Sequence, residues 1–192
     1  MRELDALCAR IDELLEREES VRVAIDGHAA AGKTGLAAYL KTRYDCSILH
    51  MDHFFLRPEQ RTPQRLAQPG GNVDYERFKV EVQEPLLAGV PLAYRPFNCR
   101  TGVFDAKVDI ISKQLIIVEG AYSLHPTLAE GYHIKVFLNV TPEEQLRRIE
   151  ARDGGKLLER FQTEWLPMER RYFETLNIPE GCDFIFGEEL TQ

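Results

Sequence analysis

Apolar residues along the chain recur in two rhythms, and the switch between them predicts the order of elements. Leu4, Leu7, Cys8, Ile11, Leu14 and Leu15 repeat at helical spacing among charged residues, which predicts an amphipathic surface helix within residues 1–19. Val21 to Asp26 reads as a short buried strand entering a glycine-containing turn, and Lys33 to Arg43 as the helix that follows. A second apolar burst, Ser47 to Met51, ends at Asp52. Leu115 to Gly120 and Tyr132 to Val140 are near-continuous apolar runs, the pattern of strands covered on both faces. Thr141-Pro142-Glu143-Glu144 joins a capping threonine, a proline at the first helical position and a glutamate three residues after the cap, so a helix opens there and ends near Gly154-Gly155. A last long helix is expected over about Leu157 to Leu176, with Trp165, Met168, Tyr172 and Phe173 facing the core, and Asp183 to Phe186 closes the pattern as a strand.

The segments between are less regular. Arg57 to Val73 holds three prolines and Gly70-Gly71, which predicts a long, mobile surface loop beside a substrate. Asp74 caps a helix running to about Leu87, where Gly89 and Pro91 break it. Residues 90–111 are rich in turn formers and in β-branched or aromatic side chains, so an irregular projecting hairpin is expected. Strands alternating with helices predict one α/β domain over 1–192, a parallel central sheet with helices on both faces. Ligands in such sheets gather beyond the carboxyl ends of the strands, where Asp26, Asp52 and Glu119 fall.

Charge and cysteines narrow the chemistry. With 31 acidic against 24 basic residues and a net charge of −7, nothing global favours nucleic acid or an anionic membrane, so any phosphate must be held locally. Cys8, Cys46, Cys99 and Cys182 are scattered, with no C-x-x-C pair, which argues against a zinc site or a disulfide framework and fits a reducing cytoplasm. No signal-peptide run or membrane-spanning stretch is read in the sequence, and a soluble cytoplasmic protein is the expectation.

Gly27-His28-Ala29-Ala30-Ala31-Gly32-Lys33-Thr34 matches the phosphate-binding pattern G-x-x-x-x-G-K-[ST] between a strand and a helix. Glycines let the backbone curl around a phosphate with its N–H groups turned inward, and the small side chains of Ala29, Ala30 and Ala31 keep the loop open. Residues Gly27, Ala29 to Gly32, Lys33, Thr34 and Gly35 are therefore the expected ATP cradle. Lys33 supplies charge for the β- and γ-phosphates, and the Thr34 hydroxyl is suited to Mg2+. His28 reads as a variable position within the loop.

The motifs together resemble the uridine kinase, phosphoribulokinase and nicotinamide riboside kinase group of P-loop kinases. The similarity runs from Val21 to about Phe173 in the same order: the loop from Asp26 to Thr34, Met51-Asp-His-Phe-Phe55, Asn72-Val-Asp74, Tyr94 with Phe97, Ile117-Val-Glu-Gly120, and Arg147-Arg-Ile-Glu-Ala-Arg-Asp153. The resemblance implies a three-layer P-loop fold and ATP-dependent phosphorylation of a small hydroxyl compound, most closely a nucleoside. It further implies that Asp52 accepts the hydroxyl proton, Asp74 holds sugar hydroxyls and Glu119 orients magnesium. Arg148 and Arg152, on a short lid over 147–157, would close on the γ-phosphate, and Tyr94 and Phe97 would lie beside the base.

The family pattern also breaks. After Phe97 the sequence continues Asn98-Cys99-Arg100, without the histidine by which uridine kinases read the pyrimidine. Asn98 suits a neutral group, whereas Arg100 suits an acidic or phosphorylated one. The lid spacing is longer by one residue, and Glu164-Trp-Leu-Pro-Met168 is reminiscent of nicotinamide riboside kinases. Three readings follow: a nucleoside kinase, a kinase of another small metabolite with Arg95 and Arg100 as ligands, and an ATP-binding regulatory switch. The hairpin fits a homo-oligomer contact as readily as a substrate lid.

Overall fold

The computed structural model describes residues 2–187. Among the described residues nine strands form: β1 (Val21–Gly27), β2 (Cys46–His50), β3 (Leu92–Tyr94), β4 (Phe97–Asn98), β5 (Val103–Phe104), β6 (Val108–Ile110), β7 (Leu115–Glu119), β8 (Ile134–Leu138) and β9 (Phe184–Phe186). Five of them make one parallel sheet in the order β2-β7-β1-β8-β9.

Alternation along the strands divides the core between the two faces of this sheet. Val21, Val23 and Ile25 of β1, with Leu115 and Ile117 of β7, pack with Leu7, Ile11 and Leu14 of helix Arg2–Leu15 and with Leu36 and Leu40 of helix Lys33–Arg43. Ala24, Ile116 and Val118 face the other way, toward Met51, Phe54, Phe78, Phe137, Tyr172 and Phe173. Both faces are thus dry, which is why these strands read as unbroken apolar runs. Of the four residues expected on the core face of the last helix, Tyr172 and Phe173 are buried. Trp165 lies aside, against Phe161 at 4.5 Å and under the guanidinium of Arg160 at 4.8 Å.

Two helices carry a wider turn than the periodicity predicts. The helix opened by Asp74 runs Tyr75–Phe78, a π turn Lys79–Gln83, then Glu84–Ala88. The last one runs Gly155–Arg160, a π turn Phe161–Trp165, then Leu166–Thr175. Helix Pro142–Asp153 begins with the Thr141 hydroxyl accepting from the Glu144 amide, and Gly154 at φ 78° ends it.

The segment Arg57 to Val73 departs from the mobile loop expected. It holds two short helical turns, Pro58–Gln60 and Pro63–Leu66, and residues 70–73 are buried. Arg65 staples it by donating to the carbonyls of Gly71 and Val73 at 3.2 and 2.9 Å, while pairing with Glu76 at 2.6 Å. A Cβ at Gly71 would fall 1.9 Å from the Arg65 carbonyl oxygen, so the chain closes on itself only with glycine there.

The projecting hairpin forms as two ladders with a slip between them. β3 pairs β6 with Tyr94 opposite Val108, and β4 pairs β5 with Phe97 opposite Phe104. Two residues, Arg95 and Pro96, therefore face three, 105–107, and this bulge bends the hairpin. Among the described residues no helix is long and apolar enough to cross a membrane.

Candidate active site

The loop between β1 and helix Lys33–Arg43 has the geometry of an anion cradle. His28 N–H donates to the Leu138 carbonyl at 3.1 Å, and Ala31 N–H to that of His28 at 3.1 Å. Ala30 and Gly32 adopt positive φ, 59° and 102°. The first intrahelical bond runs from Leu36 N–H to the Gly32 carbonyl, so the amides ahead of it have no acceptor inside the helix and lie at its positive end. Lys33 Nζ folds back onto the carbonyls of Gly27 and His28 at 2.7 and 2.8 Å.

Sheet register brings the acidic residues to this loop. Glu119 is level with Ile25 on one side and His50 on the other, at the carboxyl ends of β7, β1 and β2. Its buried carboxylate accepts from the Thr34 hydroxyl at 3.2 Å and pairs with His50 Nδ1 at 2.6 Å. That carboxylate raises the His50 pKa, chiefly through the hydrogen bond. Gly120, at φ 133°, has no Cβ to collide with Met51 at 2.9 Å, so the turn Met51–Phe54 lies against the end of β7.

Asp52 stands on that turn within electrostatic reach of Lys33, Glu119, His50 and Arg152. Burial pushes its carboxyl upward, Lys33 draws it down, and Glu119 pushes it up again; the balance is upward. Asp52 is nevertheless exposed to solvent, so water moderates the shift.

The two lid arginines lie on the same side. Arg148 pairs with Glu144 at 2.6 Å and reaches the Ala30 carbonyl of the loop at 3.4 Å. Arg152 is exposed, pairs with Asp153 at 2.7 Å and sits 5.9 Å from the Phe161 ring. Arg147 points away, onto Glu144.

The expected acceptor ligands are more engaged. Asp74 is buried; one oxygen caps the helix through the Arg77 amide at 3.0 Å, and the other accepts from Gln60 Nε2 at 2.7 Å. Tyr94 and Phe97 are 4% and 5% exposed, so neither presents an open ring face. The Tyr94 hydroxyl meets His53 Nδ1 at 2.9 Å, and Phe97 packs edge-on to Phe104. Asn98 Oδ1 accepts from the amides of Arg100 and Thr101 at 3.0 and 3.3 Å and shapes the hairpin tip, while the Arg100 side chain is exposed.

Two groups set the loop: Asp26, placed at a strand end in the sequence but given no role there, and Glu169, which sequence reading missed. Asp26 is fully buried and accepts from the amides of Gly27, Tyr122 and Leu124 and from the Tyr172 hydroxyl, at 2.7 to 3.1 Å. Glu169 accepts from the Ala29 amide at 2.9 Å and from Gln145 at 3.1 Å, and meets His28 Nδ1 at 3.1 Å. His28, taken as merely variable, is thus held between Glu169 and the edges of Phe137 and Phe173.

The site residues fit a nucleotide with magnesium. Lys33 lies at the loop, and Thr34 and Glu119 offer hard oxygen donors 3.2 Å apart.

This architecture defines the fold of P-loop small-molecule kinases. The chain superposes on a "possible uridine kinase" from Bacillus stearothermophilus with a TM-score of 0.72 and 18% identity, over 96% of this chain and 97% of that one. A protein from Silicibacter sp. TM1040 assigned as a fructose transport system kinase gives 0.72 and 22%, over 95% and 98%. D-glycerate 3-kinase from Cryptococcus neoformans var. grubii gives 0.59 and 13%, over 97% and 96%. No protein-family model matches the chain.

Proposed function

We propose that this chain is an ATP-dependent kinase that phosphorylates a hydroxyl group of a small metabolite. The observation that carries this reading is the convergence of Lys33, Thr34, Glu119 and Asp52 at the carboxyl ends of β1, β2 and β7. Phosphoryl transfer demands positioning and charge neutralisation, together with one carboxylate to orient the nucleophile. The loop amides and Lys33 hold the polyphosphate, and Thr34 and Glu119 would hold magnesium, which would offset phosphate charge. Asp52 orients the acceptor hydroxyl. The hydroxyl oxygen bonds to the transferred phosphorus, the bond to the departing diphosphate breaks, and the proton passes to Asp52. Arg148, already at the loop, and Arg152 supply positive charge from the lid side.

The motifs support a nucleoside as acceptor, phosphorylated at its primary hydroxyl. A non-nucleoside acceptor is favoured by a specific observation: the two aromatic residues expected beside a base are buried, and Asp74 already caps a helix and binds Gln60. The names of the similar structures refer to uridine, a fructose transport system and D-glycerate, so this fold is associated with more than one acceptor.

Magnesium-dependent ADP release is the test, measured with uridine, cytidine, nicotinamide riboside, pantothenate, small sugars and small hydroxy acids. Release above the acceptor-free rate with at least one of them is expected. Nucleotide binding without turnover on any acceptor would instead favour a regulatory switch.

A further inference from the structure

A cavity of about 300 Å3 lies between the turn Pro58–Gln60 and the hairpin, lined by Arg57, Glu59, Arg95, Phe97, Val103 and Phe104. Arg95 gives two of its five N–H donors to the carbonyls of Asp105 and Phe104, both at 3.0 Å, and among the described residues no carboxylate pairs with it. Arg57 pairs with Glu59 at 3.1 Å, but that carboxylate is 63% exposed, where water screens a pair strongly. Both guanidinium groups lie near the Phe104 ring, at 6.0 and 5.5 Å from its centre.

The local charge runs against the chain as a whole. Segments 57–61 and 95–105 carry four arginines, Arg57, Arg61, Arg95 and Arg100, against Glu59 and Asp105, whereas the net charge of the protein is −7. Arg61 and Arg100 have no ion-pair partner among the described residues. Arginine rather than lysine suits this setting, because its planar fork matches carboxylate and phosphate oxygens.

The cavity lies beside the turn that carries Asp52. Strand β4, whose Phe97 lines the cavity, packs against the turn Met51–Phe54. Arg77 bridges the two, donating to the His53 carbonyl while its guanidinium lies 5.2 Å from the Phe104 ring of the cavity wall. A small acceptor with a hydroxyl at Asp52 and a charged end in the cavity would span this junction.

We propose that the acceptor of this kinase carries an anionic group, a carboxylate or a phosphate, which docks against Arg57 and Arg95 in this cavity while its hydroxyl lies at Asp52. The inference rests on the kinase reading above and narrows its acceptor. Phe97 and Phe104 then serve as the apolar wall that strengthens the charge contact, in place of a base-stacking role.

Matched acceptors decide the matter: ribose against ribose 5-phosphate, glycerol against glycerate, and uridine as a neutral nucleoside. The anionic member of at least one pair should show kcat/KM about tenfold or more above its neutral partner, the size expected of one charge contact. Val103 is 58% exposed at the cavity, so Val103→Glu adds a negative charge without disturbing packing. It should raise KM for the anionic acceptor about fivefold and leave KM for ATP unchanged, whereas Val103→Lys should not raise it. Equal use of neutral and anionic partners, or a silent Val103→Glu, overturns the anionic site while leaving the kinase intact. If no acceptor is phosphorylated, the kinase reading itself falls. Calorimetry with ribose 5-phosphate and glycerate then still decides the site: binding that Val103→Glu weakens supports it, and no binding to the wild type overturns it.

Discussion

The guanidinium of Arg77 donates to the His53 carbonyl at 2.5 Å, one residue beyond Asp52, and so fixes the turn that carries the proposed base. The same group donates to the Arg95 carbonyl at 3.0 Å and lies 4.1 Å from the Phe54 ring. One side chain thus ties the hairpin to the turn. Arg77→Ala should lower stability by about 2–3 kcal/mol, from lost charged hydrogen bonds and a cation–π contact. It should lower kcat and raise the acceptor KM while nucleotide affinity holds. Steady-state kinetics beside denaturant unfolding checks this, and an unchanged acceptor KM would remove Arg77 from that positioning role.

Asp52→Asn should retain ATP binding and lose turnover by about a hundredfold or more, as for removal of a general base. The base works ionised, and burial raises its pKa. The acid limb of kcat/KM should therefore lie above the ordinary carboxylate value, with activity falling as pH drops through it. A limb at or below pH 4 would count against the assignment.

Glu169 holds the first half of the phosphate loop through the Ala29 amide. Glu169→Ala leaves that amide without its acceptor and removes a partner from His28 and Gln145, and should weaken nucleotide binding by about tenfold, the loss of roughly 1.4 kcal/mol. Glu169→Gln keeps an acceptor oxygen and should recover part of it. Titration calorimetry with ATP and magnesium measures both variants, and equal affinities for all three proteins would show that the contact is dispensable.

His125 is buried, stacked on Tyr75 at 3.9 Å, and its pKa is lowered to about 4, first by burial and then by Arg65. A base whose pKa is depressed on folding binds protons more readily when unfolded, so stability falls as pH drops. The loss should run from about pH 6.5 down to about pH 4 and approach 3 kcal/mol. Unfolding free energies of wild type and His125→Gln across this window check it, since the variant should lack this component of the slope.

Fold and loop were legible in the sequence for a physical reason. A strand covered on both faces must be apolar throughout, and a backbone that wraps phosphate tolerates few residue types, so Val21 to Asp26 and Gly27 to Thr34 announce themselves. Glu169 left no such trace: its partner Ala29 is 140 residues away, and a glutamate on a helix otherwise reads as surface. Asp26 was placed correctly at a strand end, but three of its four donors come from the loop after β7 and from Tyr172, 146 residues on. Prolines and glycines between Arg57 and Val73 signalled irregularity correctly; the Arg65 staple that makes the segment ordered depends on where the chain returns, which spacing does not encode.

Gly27 sits at φ 137°, and a Cβ there would fall 2.2 Å from the Leu138 carbonyl oxygen. The threshold of the phosphate loop is thus sealed by a neighbouring strand's main chain, and no side-chain rotamer relieves the collision. On the proposed kinase reading, the choice of acceptor can be retuned through the hairpin and its arginines, but the doorway to the phosphate loop is closed to gradual change: altering it means moving β8 itself.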